Sequence, residues 1–326
     1  MLFAISPSNW APFNIACEEY ILKGFEEDFF LLYRNAPSII VGRNQNTLAE
    51  INLPWVREHQ IPVVRRLTGG GTVFHDLGNL NFSFIMNRCA GEESGFAKYT
   101  APVLSALQKL GVDARLEGRN DLTIQGQKFS GNARALYFNK IQQHGTILFD
   151  SHIGNLSAAL KANPLKFRDK AVKSVSRRVT NVSEHLSQPV SLPEFIQLVH
   201  AEVLKLYPEA QEYAFSQADR DAIQTLVTDK YDTWEWNFGR SPAYNHVQAI
   251  RCEAGTIEFH ADVHSGRITA LKVYGDFFGN RDIGELEAAL TGLPHREEEL
   301  RRALEALPLA EYFGPASIAD ILPGLI

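Results

Sequence analysis

Apolar and polar positions along the chain change period several times, and each change marks an element. Apolar, β-branched runs at Phe29 to Tyr33, Ser38 to Val41, Ile61 to Val64 and Asn81 to Met86 have the length and composition of strands, and they predict one mixed sheet. Helical spacing then takes over. Val103, Leu104, Leu107 and Leu110 form one stripe in a segment opened by Thr100, and Gly111 stands where a helix-ending glycine belongs. Ser191 and Glu194 have capping-box spacing ahead of Ile196, Val199, Val203 and Leu206. After Trp236 to Tyr244, where Gly239, Ser241 and Pro242 interrupt any regular element, a boundary is expected between residues 244 and 245. Beyond it, Thr256 to His264 alternates, turns through Ser265-Gly266 and returns along Arg267 to Tyr274 as a hairpin. Two helices follow: one is capped by Asp282 and Glu285, and the other, from His295 to Leu307, is stopped by Pro308. The pattern predicts an α+β architecture of two domains, 1–244 and 245–326.

Composition narrows the functional classes. A chain of 326 residues, 45% hydrophobic, can bury one large core or two unequal ones. The formal net charge of −6 speaks against a general nucleic-acid binder, which needs a dense basic surface, and leaves room for a local basic pocket. Cys17, Cys89 and Cys252 are too scattered for a disulfide framework or a thiolate zinc site. The N-terminal MLFAISPSNWAPFN lacks the basic and apolar regions of a secretory signal, and no apolar run is long enough to span a membrane. The expectation is a soluble, cytoplasmic protein with no membrane partner.

Chemistry concentrates in two segments. Arg65 to Ser83 reads RRLTGGGTVFHDLGNLNFS, joining two arginines to three consecutive glycines. Glycines let successive backbone N–H groups converge on an anion, and the arginines would add forked donors. A flexible turn between strands is the competing reading, and the block matches neither a P-loop nor a dinucleotide fingerprint. The second segment, Gly118 to Ala133, places Lys128 on a predicted tight hairpin between Gly126 and Gly131, where it could reach a phosphate or a carbonyl oxygen or simply be solvated. Asp121 offers a hard oxygen for Mg²⁺, an Asx-turn or a salt bridge.

Together these segments resemble the lipoate–protein ligase A family. The resemblance rests on RRLTGGGTVFHDLGNLNFSF, GRNDLTIQGQKFSGNA, the HGTILF run from His144, SVSRRVTNV at Ser174 to Val182, WEWNFGRSPAY at Trp234 to Tyr244, and Gly42 to Asn46, all in order along nearly the whole chain. It implies a large mixed-sheet domain of the biotin/lipoate ligase type, 1–244, and a smaller accessory α+β domain, 245–326, that includes Gly275 to Phe278. It implies an ATP-dependent ligase that makes lipoyl-AMP from lipoic acid and Mg-ATP, then passes the lipoyl group to a lysine of apo lipoyl domains or of glycine-cleavage H protein. No tightly bound prosthetic group is implied, and a monomer is expected. By the same resemblance Arg66, Gly71, Thr72, Val73 and Phe74 contact nucleotide and acyl group, His75 lines the pocket, and Lys128 contacts phosphate and lipoyl carbonyl as the catalytic residue; Asp121, for its hard oxygen, is the candidate contact to the nucleotide and Mg²⁺. Val73, Phe74, Phe82 and Phe84 are the expected apolar slot. Thr68 and Thr72 depart from the family's usual serine and alanine, which leaves acyl-chain preference open. Two alternatives stand beside the ligase: an acyltransferase working through a cysteine thioester, for which Cys89 is the nearest suspect, and a non-catalytic lipoate-binding sensor.

Overall fold

A computed structural model of the chain describes residues 1–88, 95–118, 120–137, 139–160, 179–241, 244–275, 277 and 281–326. Cys89, most of the Ser174 to Val182 block, Pro242, Asp276 and Phe278 lie outside them. The chain divides into two compact units, Met1–Thr233 and Trp234–Ile326.

The strands, in chain order, are β1 (Leu2–Ile5), β2 (Phe29–Tyr33), β3 (Ser38–Val41), β4 (Val63–Arg65), β5 (Val73–His75), β6 (Asn79–Asn87), β7 (Ala114–Glu117), β8 (Asp121–Ile124), β9 (Gln127–Tyr137), β10 (Lys140–Leu148), β11 (Gln211–Glu212), β12 (Tyr244–Cys252), β13 (Gly255–His264) and β14 (Arg267–Gly275). The larger unit is organised by an eight-stranded sheet in the order β11-β1-β2-β6-β10-β9-β8-β7. The sheet is mixed, since β1 runs parallel to β2 and β11 while the pairings from β2 to β7 are antiparallel.

One correction concerns pairing. Ser38 to Val41 and the run ending at Val64 do not join this sheet; they form a separate three-stranded sheet, β4-β3-β5, with β3 parallel to β4 and antiparallel to β5. An apolar run encodes a buried strand and not its partner, and the partner is set by contacts distant in sequence.

Period-two alternation gives the large sheet two different faces. From β6, Leu80, Phe82, Phe84 and Met86 enter a core shared with Tyr99, Val103 and Leu107 of the Ala97–Lys109 helix and Phe195, Val199 and Val203 of the Leu192–Leu206 helix. The intervening Asn79, Asn81 and Ser83 take the opposite face, buried without joining that apolar core. The Ala97–Lys109 helix ends at a left-handed Gly111, φ 76°, and the Leu192–Leu206 helix starts with the Ser191/Glu194 capping box. The expected slot residues Phe82 and Phe84 therefore belong to the core: Phe82 lies against Gly145, whose added Cβ would come within 2.6 Å of the ring.

The smaller unit is built on the antiparallel sheet β12-β13-β14. Ser265 and Gly266, with φ 49° and 71°, make the tight turn of its hairpin. Ile257, Phe259, Val263 and Ile268 pack with Leu286, Leu290, Leu300, Leu304 and Phe313 from covering helices. Asp282 caps the Ile283–Leu290 helix by accepting the Gly284 N–H. The unit begins ahead of the expected boundary, at Trp234: a Cβ on Gly266 would lie 2.7 Å from the Gly239 Cα and 2.8 Å from the Trp234 ring, so Trp234 and Gly239 pack on this turn.

Candidate active site

On the polar face of the large sheet lies a cavity of about 280 Å³. Tyr33 of β2, Asn81 of β6, His144 and Thr146 of β10, and Gly131 and Lys128 of β9 line it, with Arg66 and residues 70–73 and 75 above them. The order β2-β6-β10-β9 spaces Tyr33 and Lys128 by three strand steps, roughly 14 Å at the usual interstrand distance. Lys128 thus marks one end of an elongated site and Tyr33 the other.

The paired arginines separate. Arg65, fully buried, turns away from the cavity and donates from Nη1 to the carbonyls of Gly42 (3.1 Å), Arg43 (3.0 Å) and Gln45 (2.7 Å), holding the Gly42 to Asn46 block. Arg66 points into the cavity wall and organises the glycine loop. Its Nη2 donates to the carbonyls of Gly69 (2.7 Å) and Gly71 (2.8 Å), its Nη1 to that of Ile40 (3.1 Å), and its Nε to Thr68 Oγ1 (3.0 Å). Gly70, at φ 93°, supplies the left-handed turn between the two clamped carbonyls. Burial lowers the Arg66 pKa to about 10, which leaves it charged at neutral pH. Thr72 ties the loop to the neighbouring block, donating to Gln45 Oε1 at 2.8 Å.

Behind Arg66 runs a buried chain of polar groups. Glu18, from the Ala11–Gly24 helix, accepts from His144 Nδ1 (2.9 Å), Gln142 Nε2 (2.9 Å) and the Tyr33 hydroxyl (3.2 Å). With Nδ1–H given to Glu18, His144 Nε2 can accept from the Thr68 hydroxyl at 2.7 Å, whose oxygen in turn accepts from Arg66. A second chain serves His75: Asn14 Nδ2 donates to Asn35 Oδ1 (2.8 Å), and Asn35 Nδ2 then donates to His75 Nδ1 (3.0 Å). Burial, then Arg66 and His144, push the His75 pKa down to about 3, so the ring is neutral.

Lys128 is presented differently. Gln125 and Gly126, φ 51° and 76°, form the predicted tight turn between β8 and β9. Register then slips: Leu122 pairs with Ser130 but Thr123 with Lys128, a bulge that leaves Phe129 over and re-aims the lysine. The Lys128 ammonium lies 2.7 Å from Asp121 Oδ1, with both side chains about two-fifths exposed at 41% and 40%. The lysine passes over Gly131, where an added Cβ would lie 2.9 Å from Nζ.

Of the sequence-expected residues, Arg66, Gly71, Thr72, Val73, His75 and Lys128 line the cavity. Asp121 reaches it through Lys128. Phe74 does not: alternation along β5 sends it the other way, buried and edge-on to Trp55 with ring centroids 6.1 Å apart. Ile15, Ile40 and Val73 supply the apolar lining in its place. Glu18, Asn35 and the role of His144 escaped sequence reasoning. Their signal is a carboxylate inside the apolar AlaCysGlu stretch of a helix, and Gln142, His144 and Thr146 at alternate positions of β10. Among the described residues no cluster of three or more His, Cys, Asp or Glu could hold a metal. Cys17 is wholly buried, with its thiol pushed well above the usual range by burial and by Glu18, which makes it a poor nucleophile.

The family model of the lipoyl protein ligase A/B catalytic domain matches residues 11–204, and that of the bacterial lipoate protein ligase C-terminus matches residues 241–325. The site and the first match define an enzyme of the lipoyl-group ligase and transferase class. Lipoate–protein ligase 1 of Staphylococcus aureus is 44% identical over 92% of this chain and 92% of its own. A bipartite lipoate protein ligase of Thermoplasma acidophilum, described in an archaeal lipoylation system with its E2 lipoyl domain, superposes with a TM-score of 0.65 at 30% identity, covering 73% of this chain and 96% of that one. A lipoate–protein ligase A bound with ATP gives a TM-score of 0.62 at 26% identity, covering 74% and 100%. The chain belongs to the lipoate–protein ligase family.

Proposed function

We propose that the chain activates lipoic acid with ATP and transfers the lipoyl group to a lysine of an acceptor protein. The lipoate carboxylate attacks the α-phosphorus, pyrophosphate leaves, and lipoyl-AMP remains in the cavity. The acceptor's ε-amine then attacks the acyl carbon, AMP departs, and the amine's proton is released. Both steps bring anionic groups together and move negative charge onto a leaving phosphate, so they call for fixed cations and convergent N–H donors more than for a protein nucleophile. The observation that carries this reading is the pairing of an arginine-clamped glycine loop with a lysine whose ammonium, among the described residues, pairs with a half-exposed carboxylate. An exposed ion pair contributes about 0–1 kcal/mol, so Lys128 can leave Asp121 for a phosphate or acyl oxygen.

In this reading Lys128 is the catalytic residue, Arg66 with Gly71, Thr72 and Val73 shapes the nucleotide and acyl site, and Phe74 contributes backbone only. ATP enters as its magnesium complex. Magnesium is commonly held by phosphate oxygens and one or two carboxylates, and Asp121 is the carboxylate available when Lys128 turns away. Acceptors would be apo lipoyl domains, like that of the archaeal neighbour, and glycine-cleavage H protein. The catalytic assignment to 1–244, the accessory role of 245–326, a monomeric state and a cytoplasmic location belong to the same proposal; among the described residues no helix is long and apolar enough to cross a membrane.

Mixing the chain with Mg-ATP and lipoic acid should release pyrophosphate in one burst and yield lipoyl-AMP by mass, with AMP appearing only after an acceptor domain is added. Acyl transfer from a pre-acylated carrier without ATP would contradict it.

A further inference from the structure

Among the described residues that line the end of the cavity opposite Lys128, one side-chain polar atom lacks a hydrogen-bond partner. The Tyr33 hydroxyl donates to Glu18, Asn81 Nδ2 donates to the Tyr33 carbonyl at 3.3 Å while its Oδ1 accepts from Asn79 at 2.9 Å, and both ring nitrogens of His144 are engaged. His75 differs. Asn35 can only donate to Nδ1, because its own Oδ1 already accepts from Asn14, and that fixes the neutral ring with its proton on Nε2. This Nε2–H is buried, on a side chain 3% exposed that lines the cavity, and has no partner among the described residues. A buried donor left without an acceptor is costly, so one kept in a ligand cavity calls for a ligand acceptor.

We infer that His75 is a specificity-determining residue whose Nε2–H meets a sulfur of the dithiolane ring, so that the site prefers lipoic acid to octanoic acid. This rests on the proposed function, which sets the carboxylate at Lys128 and so sends the tail toward Tyr33. Divalent sulfur is a weak acceptor, whereas the methyl end of octanoate offers none and would leave the donor unmet. Ile15 and Ile40 line the same cavity and offer apolar contact to either chain. Asn35 is the positioning residue that holds the tautomer.

The test is calorimetric binding of lipoic and octanoic acids to the full chain without ATP. Wild type should favour lipoic acid by about three- to ten-fold, the range of one neutral hydrogen bond. His75→Phe should erase that ratio, and His75→Gln, whose amide nitrogen takes the position of Nε2, should restore it. Equal loss of both acids in His75→Phe, or a wild-type ratio near one with normal lipoyl-AMP formation, overturns the role of His75 alone; binding of neither acid removes the ligase reading as well. Should His75→Phe fail to fold, nitrogen NMR of wild-type His75 decides. The Nε2–H tautomer with a proton shift under lipoate and not octanoate supports the inference, and an Nδ1–H tautomer overturns it.

Discussion

The two ends of the cavity are built on opposite principles. At the Tyr33 end every functional side chain is buried and cross-braced: Arg66 clamps the glycine loop, Thr68 and His144 brace Arg66, and Glu18 anchors His144. At the Lys128 end one long side chain stands on a hairpin, two-fifths exposed and, among the described residues, paired to a single carboxylate. The difference teaches that shape and charge movement are assigned to separate structures. A site that must fit an acyl chain gains from rigidity, whereas a cation that must follow charge from phosphate to acyl oxygen needs a partner it can leave.

That division can be broken at several points, beginning with the largest effect. Lys128→Ala should lower lipoyl-AMP formation by at least about 100-fold, as loss of a charge-stabilising donor does, while the melting temperature stays nearly unchanged; stopped-flow pyrophosphate release and calorimetry would check both. Arg66→Lys should do the opposite kind of damage. A lysine cannot span the Gly69 and Gly71 carbonyls, so roughly 2–3 kcal/mol of stability should go together with activity, read from urea midpoints. Gly131→Ala should push the Lys128 ammonium aside and cost about ten-fold in adenylation with little loss of stability, because a flexible side-chain end yields more easily than backbone.

Acidification separates buried from exposed chemistry more gently. His75 is held neutral down to about pH 3 and His295, in the smaller unit, down to about pH 4. Their folded pKa values lie below the unfolded value near 6.5, so the unfolded chain takes up protons first; this stabilisation is complete above about pH 6.5 and is lost as pH falls, by ~1.4 kcal/mol per unit for each ring. Glu202 and Asp219, lowered to about 2, keep their contribution until pH drops below about 4. Urea midpoints should therefore fall between pH 6.5 and 5, and His295→Gln should reduce that slope. Asp121→Asn is the smallest change: removing an exposed pairing carboxylate should move stability by less than about 1 kcal/mol.

Local pattern carried much of this architecture. The strand run at Asn81 to Met86, the hairpin turn at Gly126 and the Ser191/Glu194 box depend on neighbours a few residues apart, and each has its expected form. The glycine loop and Lys128 were visible for the same reason. Pairing partners were not: Ser38 to Val41 looked like a strand of the large sheet because an apolar run is silent about its neighbours. Phe74 and Phe82 were misassigned to the slot because aromatic character does not reveal which face of a strand it occupies. The buried chain from Glu18 to Arg66 links residues far apart in sequence, and no spacing rule joins a helix carboxylate to a histidine over a hundred residues away.

The most direct measurement is the intact mass of an unmodified lipoyl domain after incubation with the chain, lipoic acid and Mg-ATP, beside the same mixture lacking ATP. The account predicts one lipoyl-sized gain that requires ATP and disappears with Lys128→Ala. A gain that ignores ATP, or one that survives Lys128→Ala undiminished, would contradict it.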